Sequence, residues 1–446
     1  MSDIRDECAR RRAEFVLRIG DAVAVFPSAP QAIRTNDSAY LYRQDTDLFY
    51  LSGFPEPHSV LVLAPNHATT KSVLFVQPRD KEREVWDGHG AGPEGAVRDY
   101  GVDAAYPIGE LDARLPELLD SAGTLYYAFD RDDGFNRRVV DLVKHYRVSR
   151  RRSDAGPLTI ADPSLVLHEM RAIKSAVDVE GMRRAVGVSR EGHIAAMRHA
   201  RPGMHEYEIQ AIAEYVFTSR GAQYPAYPSI VAGGPNATVL HYNANRRRVN
   251  DDELVLIDAG AEVDCYCGDL TRTWPISGRF TPEQRAVYEI VLAAQLRCIE
   301  LCKPGVVFNT TVNDAATQVI AEGLSDLGLL AGSDAEIIET ESYKRFYMHR
   351  IGHFLGMDTH DVGSMRAQGD WRVLQPGMVV TVEPGIYVPD EADVDARFRG
   401  IGVRIEDNVL ITSSGHDNLA DGTPKTIEDV ERTIAEGRES RTPLFA

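Results

Sequence analysis

Cysteine is scarce in this chain, with five among 446 residues, at positions 8, 265, 267, 298 and 302. The odd count and the lack of a CxxC pair exclude a disulfide framework and a structural zinc site, and point to reduced thiols. Long apolar runs are missing as well. No stretch approaches the roughly 18 apolar residues that would suggest a membrane span. The N-terminal MSDIRDECARRRAEF is charged throughout and lacks an apolar core, so no secretory leader is expected. Nor is there an excess of positive charge. Lysine and arginine number 49 against 67 acids, a formal charge of −18 spread along the chain. That balance argues against a nucleic-acid partner and against an anionic membrane. These absences together suggest a cytoplasmic protein.

Apolar residues at 43% and charged residues at 26% are the proportions of a globular protein. The length of 446 residues favours two domains over one core. Residues 59–64 (SVLVLA) and 72–77 (SVLFVQ) read as buried strands around the turn-like PNHATT. Residues 111–119 and 136–145 read as helices, with a strand at 125–129 between them. This alternation predicts a small N-terminal α/β domain. It contains no glycine loop of the phosphate-cradling kind. Residues 165–199 form one long helical pattern, the expected connector, and 206–220 another. Further on, strands are expected at 229–232, 239–242, 253–260, 269–274, 378–388 and 402–412, with helices over 282–302 and 310–328. Strands and helices without regular βα alternation predict an α+β second domain.

One segment of that domain stands out. Residues 347–363, YMHRIGHFLGMDTHDVG, hold His349, His353 and His360 among three glycines. Such a segment costs stability unless a site compensates. Acids accompany it. Asp258 ends one apolar strand and Asp269 starts the next. Glu383 shares a strand face with Thr381, and Arg404 shares one with Glu406. Four acids and one imidazole make an oxygen-rich set suited to two divalent ions that share carboxylates. Mn²⁺ suits that set, and Co²⁺, Zn²⁺ and Fe²⁺ also fit. Spacing leaves open which histidine is the ligand, since the HExxH form is absent.

The segments LHY, VLIDAGAEVDCYCGDLTRTWPI, HRIGHFLGMDTHDVG, VEPGIY and RGIGVRIED occur in the order found in the pita-bread metallopeptidases. The chain resembles most closely the bacterial aminopeptidase P group, and HEMRAIKS and YLSGFPEP extend the likeness over nearly the whole length. The resemblance implies a pita-bread (creatinase/aminopeptidase) catalytic domain over 173–446, preceded by a smaller aminopeptidase P-type α/β domain over 1–172. It makes Asp258, Asp269, His353, Glu383 and Glu406 the ligands of two divalent ions, most readily Mn²⁺. Asp269 and Glu406 would bridge the ions, Asp258 would chelate one, and His353 with Glu383 would bind the other. His241, His349 and His360 match outer-sphere and substrate-contacting histidines, while Tyr387 and Arg404 match further active-site positions. Trp86 and Asp37 resemble residues that reach a neighbouring subunit's site.

The activity so implied is removal of an N-terminal residue when proline follows it. A hydroxide held between the two ions would attack the carbonyl before proline. Glu383 would take the proton and pass it toward the leaving nitrogen. His360 or His241 would stabilise the oxyanion with a metal. Proline makes the scissile bond a tertiary amide without an N–H, so the site needs an apolar wall. Tyr227 and Trp86 are the candidates, with core packing the alternative reading of each. The resemblance further suggests a homo-dimer or homo-tetramer. A prolidase, cleaving only Xaa-Pro dipeptides, shares the same metal set. A non-catalytic pita-bread module that binds peptides is a rival of another class, though such modules lose metal ligands. A methionine aminopeptidase would not need the N-terminal domain.

Overall fold

The runs VLVL and SVLFV form the antiparallel strands Val60–Leu63 and Ser72–Val76, with Val62 opposite Val73 across the expected turn. Every residue of both is buried, as a strand covered on both faces requires. They sit in a six-stranded sheet ordered Ala104–Pro107, Ser72–Val76, Val60–Leu63, Val23–Pro27, Thr124–Tyr126, Thr159–Ala161. Val60–Leu63 runs antiparallel to both neighbours, and the remaining pairings are parallel. Helices Leu111–Leu119 and Asp133–Ser149 contribute Leu115, Leu119, Phe135 and Val139 to the core over this sheet. The computed structural model describes residues 2–129, 131–150, 152–367 and 369–440. It divides into two units, Met1–Met170 and Arg171–Ala446.

The single helix expected over 165–199 is two, Ser164–Ala172 and Ala176–His199. The Ser175 side chain accepts from the Asp178 N–H while Asp178 accepts from the Ser175 N–H, a capping box that starts the second helix. The Lys174 N–H is drawn to the Gly377 carbonyl instead of an intrahelical partner. Apolar periodicity continues across such a break, so it hides the cap.

In the second unit, Ile230–Gly233, Leu254–Asp258 and Thr271–Pro275 form an antiparallel sheet. A second sheet joins Val379–Val382, Asp407–Ile411 and His416–Asn418, and Gly385–Tyr387 pairs with Gly402–Arg404. Helices Pro282–Leu301 and Asn313–Asp326 pack Val287, Val291, Ala316 and Ile320 against Val380, Val382 and Val403 in one core. This is the α+β arrangement expected from the sequence.

Four strand expectations need correction. Residues 239–242 are no strand: a 3₁₀ turn, Gly234–Thr238, leads into a bend that carries His241. Proline at the start of GPNAT lacks the N–H a ladder needs. The runs at 378–388 and 402–412 each split in two, at Glu383–Pro384 and Ile405–Glu406. Asp269 precedes its strand, which begins at Thr271, and a small hairpin of Ala261–Val263 and Tyr266–Cys267 is inserted after Asp258. The carboxylates of Asp258, Asp269, Glu383 and Glu406 thus stand at strand ends and breaks, where a side chain can leave the sheet.

Candidate active site

Two long-range pairings bring the acids to the histidine-rich loop. Along the loop, the Thr381 N–H donates to the His353 carbonyl and the Glu383 N–H to the Ile351 carbonyl, both at 2.9 Å. The His353 N–H donates to Thr381 Oγ1 at 3.0 Å, and the Thr381 hydroxyl lies 3.1 Å from Glu383 Oε1. Gly352 is required here, because a Cβ would lie 2.1 Å from the Thr381 carbonyl oxygen. On the other side, the Glu406 N–H donates to the Thr271 carbonyl, and the Thr271 hydroxyl donates to Glu406 Oε2 at 2.7 Å. Asp258 is in register with Thr271.

The Tyr227 hydroxyl lies between Asp258 Oδ1 at 2.6 Å and Asp269 Oδ1 at 2.5 Å. Burial, and then the charges of Asp258, Asp269 and Glu406, push its pKa well up, so it stays a donor. His353 Nδ1 faces the Phe354 carbonyl at 2.9 Å, which turns Nε2 toward Asp269 Oδ2 and Glu383 Oε1, each 3.5 Å away. Asn408 holds the backbone of Asp269, accepting from its N–H and donating to its carbonyl. His349 Nε2 meets the Tyr387 hydroxyl at 2.8 Å. Arg404 then bonds Tyr387 at 3.0 Å and Asp258 Oδ2 at 2.7 Å. The His360 ring stands edge-on to His353 with centroids 4.4 Å apart.

These side chains line a cavity of about 780 Å³ that also takes in His241, Arg350 and Ile230. Its electrostatics are lopsided. Burial first, and then the charges of Asp258 and Glu383, push Asp269 well above the usual carboxylate range. Glu406 rises for the same reason, with Asp269 the like charge that raises it most. Burial raises Glu383 to about 7, against the pull of Arg404. His349 falls to about 4, and burial lowers His353 and His360 too. The pocket thus holds four carboxylates beside His349, His353 and His360, whose pKa values burial lowers, with one buried guanidinium to balance the acids.

Such a donor set fits divalent cations. Ligand atoms of Asp269, His353 and Glu406 all lie within 4.8 Å of one another. A half-buried imidazole such as His353, whose other nitrogen is held by a carbonyl, is oriented as metal-bound histidines are. A cation there would relieve the like-charge crowding that adds to burial in pushing Asp269 and Glu406 up.

The family model of metallopeptidase family M24 matches residues 180–413, and that of the aminopeptidase P N-terminal domain matches residues 8–126. The chain belongs to metallopeptidase family M24. Within it, the chain groups with aminopeptidase P. The Xaa-Pro aminopeptidase of Haemophilus influenzae is 42% identical over 401 residues, covering 90% of each chain. That of Escherichia coli is 39% identical over 443 residues, covering 98% of this chain and all of the relative. The solved structure of Pseudomonas aeruginosa aminopeptidase PepP matches with a TM-score of 0.95 at 46% identity, covering 98% of this chain and 99% of the other. Escherichia coli aminopeptidase P, solved with the inhibitor Pro-Leu, matches at 0.93 and 38% identity, with the same coverage. The pita-bread α+β fold anticipated from the motifs is therefore the fold of this M24 chain.

In this M24 protein the cavity gathers eleven of the thirteen sequence-predicted site residues or their direct partners. Asp258, Asp269, His353, Glu383, Glu406, His241, His349, His360, Arg404 and Tyr227 line it, and Tyr387 bonds two of them. Trp86 is apart from this set. It belongs to the N-terminal unit, on the helix Lys81–Asp87, and is 87% exposed. Asp37 is exposed in the same unit. Sequence reasoning passed over Asn408 and the joining role of Thr381. Thr381 carried a sequence signal in its two-residue spacing from Glu383, whereas Asn408 carried none, because its partner is 139 residues away.

Proposed function

We propose that the cavity releases the N-terminal residue from peptides with proline in second position, with Asp258, Asp269, His353, Glu383 and Glu406 holding two divalent cations. The hydrolase and aminopeptidase character follows from membership of the family. Mn²⁺ is the proposed metal, on the oxygen-rich donor set. The observation that carries the reading is the closure of Asp269, His353 and Glu406 into one ligand triangle. Bound divalent ions supply Lewis acidity and a water of lowered pKa.

The chain's own residues do the rest. Glu383 accepts the attacking water's proton at a carboxylate oxygen and delivers it to the proline nitrogen, which leaves as an amine. His360 or His241 donates a ring N–H to the oxygen of the scissile carbonyl as charge builds there. His349 keeps Nε2 on Tyr387, and Arg404 ties Tyr387 to Asp258, so the two halves of the site hold one geometry. Tyr227, Ile230 and Leu240 offer the apolar wall that proline needs. Trp86 is proposed to reach a neighbouring subunit's site. The assembly proposed is a homo-dimer or homo-tetramer, supported by the exposed Ile33, Leu41, Val85 and Trp86 of the N-terminal unit. Residues 1–172 are proposed as the N-terminal domain and 173–446 as the catalytic one. No helix among the described residues is long and apolar enough to cross a membrane, and a cytoplasmic location is proposed.

The test compares Mn²⁺-loaded protein on Xaa-Pro dipeptides and on Xaa-Pro-Yaa peptides, with a chelator control. Release of the first residue from the longer peptides, lost with chelator, is the expected result. Cleavage confined to dipeptides would make the protein a prolidase, and cleavage of neither would leave a peptide-binding module.

A further inference from the structure

The cavity mouth carries a feature that the cleavage chemistry does not use. Arg350, between His349 and the glycine turn, lines the cavity and is itself exposed. Its guanidinium carbon lies 5.0 Å from the centre of the Trp371 ring, and that of Arg366 lies 4.0 Å from the same ring. Arg366 and Trp371 are directly opposed in the short hairpin of Arg366–Ala367 and Asp370–Trp371, so both project from one face. Asp370, the neighbouring acid, alternates to the other face. Among the described residues no carboxylate forms an ion pair with Arg350 or Arg366.

Two unpaired guanidiniums held by one indole are unusual on a chain with a formal charge of −18. Stacking on an aromatic ring restricts a guanidinium without using its N–H donors. Arg366 gives Nη1 to the Gly369 carbonyl at 2.9 Å, and its other donors are left for an anion. The acidic interior suits the substrate's free amine, so the portion of the peptide beyond proline extends toward the mouth. The chemical group there that matches a cationic rim is a carboxylate.

We infer that Arg350 and Arg366, positioned by Trp371, form a subsite for a carboxylate on the leaving part of the substrate, beyond proline. This rests on the Xaa-Pro cleavage reading. The carboxylate is either the peptide's C-terminus or an acidic side chain. The subsite selects short peptides with a free C-terminus, or longer ones with an acid after proline, over amidated neutral ones.

The experiment measures kcat/KM of the Mn²⁺-loaded wild type on Ala-Pro-Ala, Ala-Pro-Ala-amide and Ala-Pro-Asp-amide, at low and high salt. The wild type should favour at least one of the two carboxylates over the neutral amide by about fivefold or more, with the preference weakening as salt rises. The favoured substrate identifies the source of the anion. Arg350→Gln and Arg366→Gln should each cut the ratio at least threefold or so, the scale of one exposed charge pair. Trp371→Leu should cut it through loss of the stacking platform. Ratios ignore any loss of activity common to all three peptides. A wild-type ratio near one, or a ratio that survives both arginine changes, would overturn the subsite. Failure to cleave any of the three peptides would instead strike at the Xaa-Pro reading itself.

Discussion

Changing Asp361 to asparagine tests the ionic cluster that holds the His360 loop. Asp361 is almost wholly buried and accepts from Arg171 Nη2 at 2.7 Å and Lys174 Nζ at 2.9 Å, two side chains that are themselves 3% exposed. Arg171 also pairs with Asp358 at 2.6 Å. Removing one member of a buried pair costs about 3–5 kcal/mol, because a charge is left uncompensated. Here Arg171 keeps Asp358 and the asparagine oxygen still accepts from Lys174, so the lower end, about 3 kcal/mol, is expected. For a unit of this size that is a fall of roughly 6–10 °C in the calorimetric transition. The pH dependence separates this cause from a packing defect. Burial alone would raise the Asp361 pKa, but Lys174 and Arg171 hold it below the ordinary value. A carboxylate whose folded pKa is depressed stabilises above its unfolded pKa, near 4, and loses that contribution as pH falls through the folded value. The gap between wild type and variant should therefore be constant from pH 8 to about 5 and close below about 4. Equal stability at pH 7, or a gap that closes between pH 7 and 5, would refute the reasoning.

Other outcomes follow from the same geometry. Glu383→Gln should lower kcat by about 10²–10⁴-fold, the usual worth of a general base, while its calorimetric transition stays close to wild type; near-normal turnover would remove Glu383 from the proton-transfer role. His353→Ala should bind less metal than wild type when both are dialysed against the same Mn²⁺ and assayed by elemental analysis. Unchanged content would count against His353 as a ligand. Buried His193 donates to the Ala259 carbonyl at 2.9 Å beneath the Asp258 strand end, and burial lowers its pKa to about 4. A neutral buried histidine stabilises above its unfolded value, near 6.5, and that stability is lost as pH falls from there toward 4. Urea midpoints of His193→Gln should thus fall less steeply than wild type between pH 6.5 and 4, and parallel curves would show that another group governs this window.

The local elements were largely legible in the sequence. Residues 111–119 form the helix read from their spacing, and the VLVL and SVLFV runs are the strands read from their composition. What failed were interruptions. The Ser175 cap, the split at Glu383–Pro384 and the insertion after Asp258 leave the apolar pattern nearly intact while redirecting the backbone. Hydrophobic period reports which face is buried, and it is insensitive to one residue leaving the ladder. Strand geometry alone put Asp258 and Asp269 on a simple hairpin. In the fold they are joined by Tyr227, a residue for which core packing had been the rival reading.

By itself the sequence determined the chemistry available: an acidic chain, few thiols, and five separated motifs whose order belongs to one metallopeptidase family. It also determined the two-domain α/β and α+β plan, because strand and helix periods are local properties. Spacing left the choice among three histidines open, and the motif resemblance named His353. Only the tertiary structure showed what turns its free nitrogen toward the carboxylates. That orientation depends on the pairing of residues 351–353 with 381–383 and on the Phe354 carbonyl that holds His353. The tertiary structure likewise decided that four carboxylates share one poorly screened pocket, and so that Asp269, Glu383 and Glu406 are pushed up by burial and like charge. Distances between residues more than a hundred positions apart are set by sheet register and core packing, which no local pattern encodes.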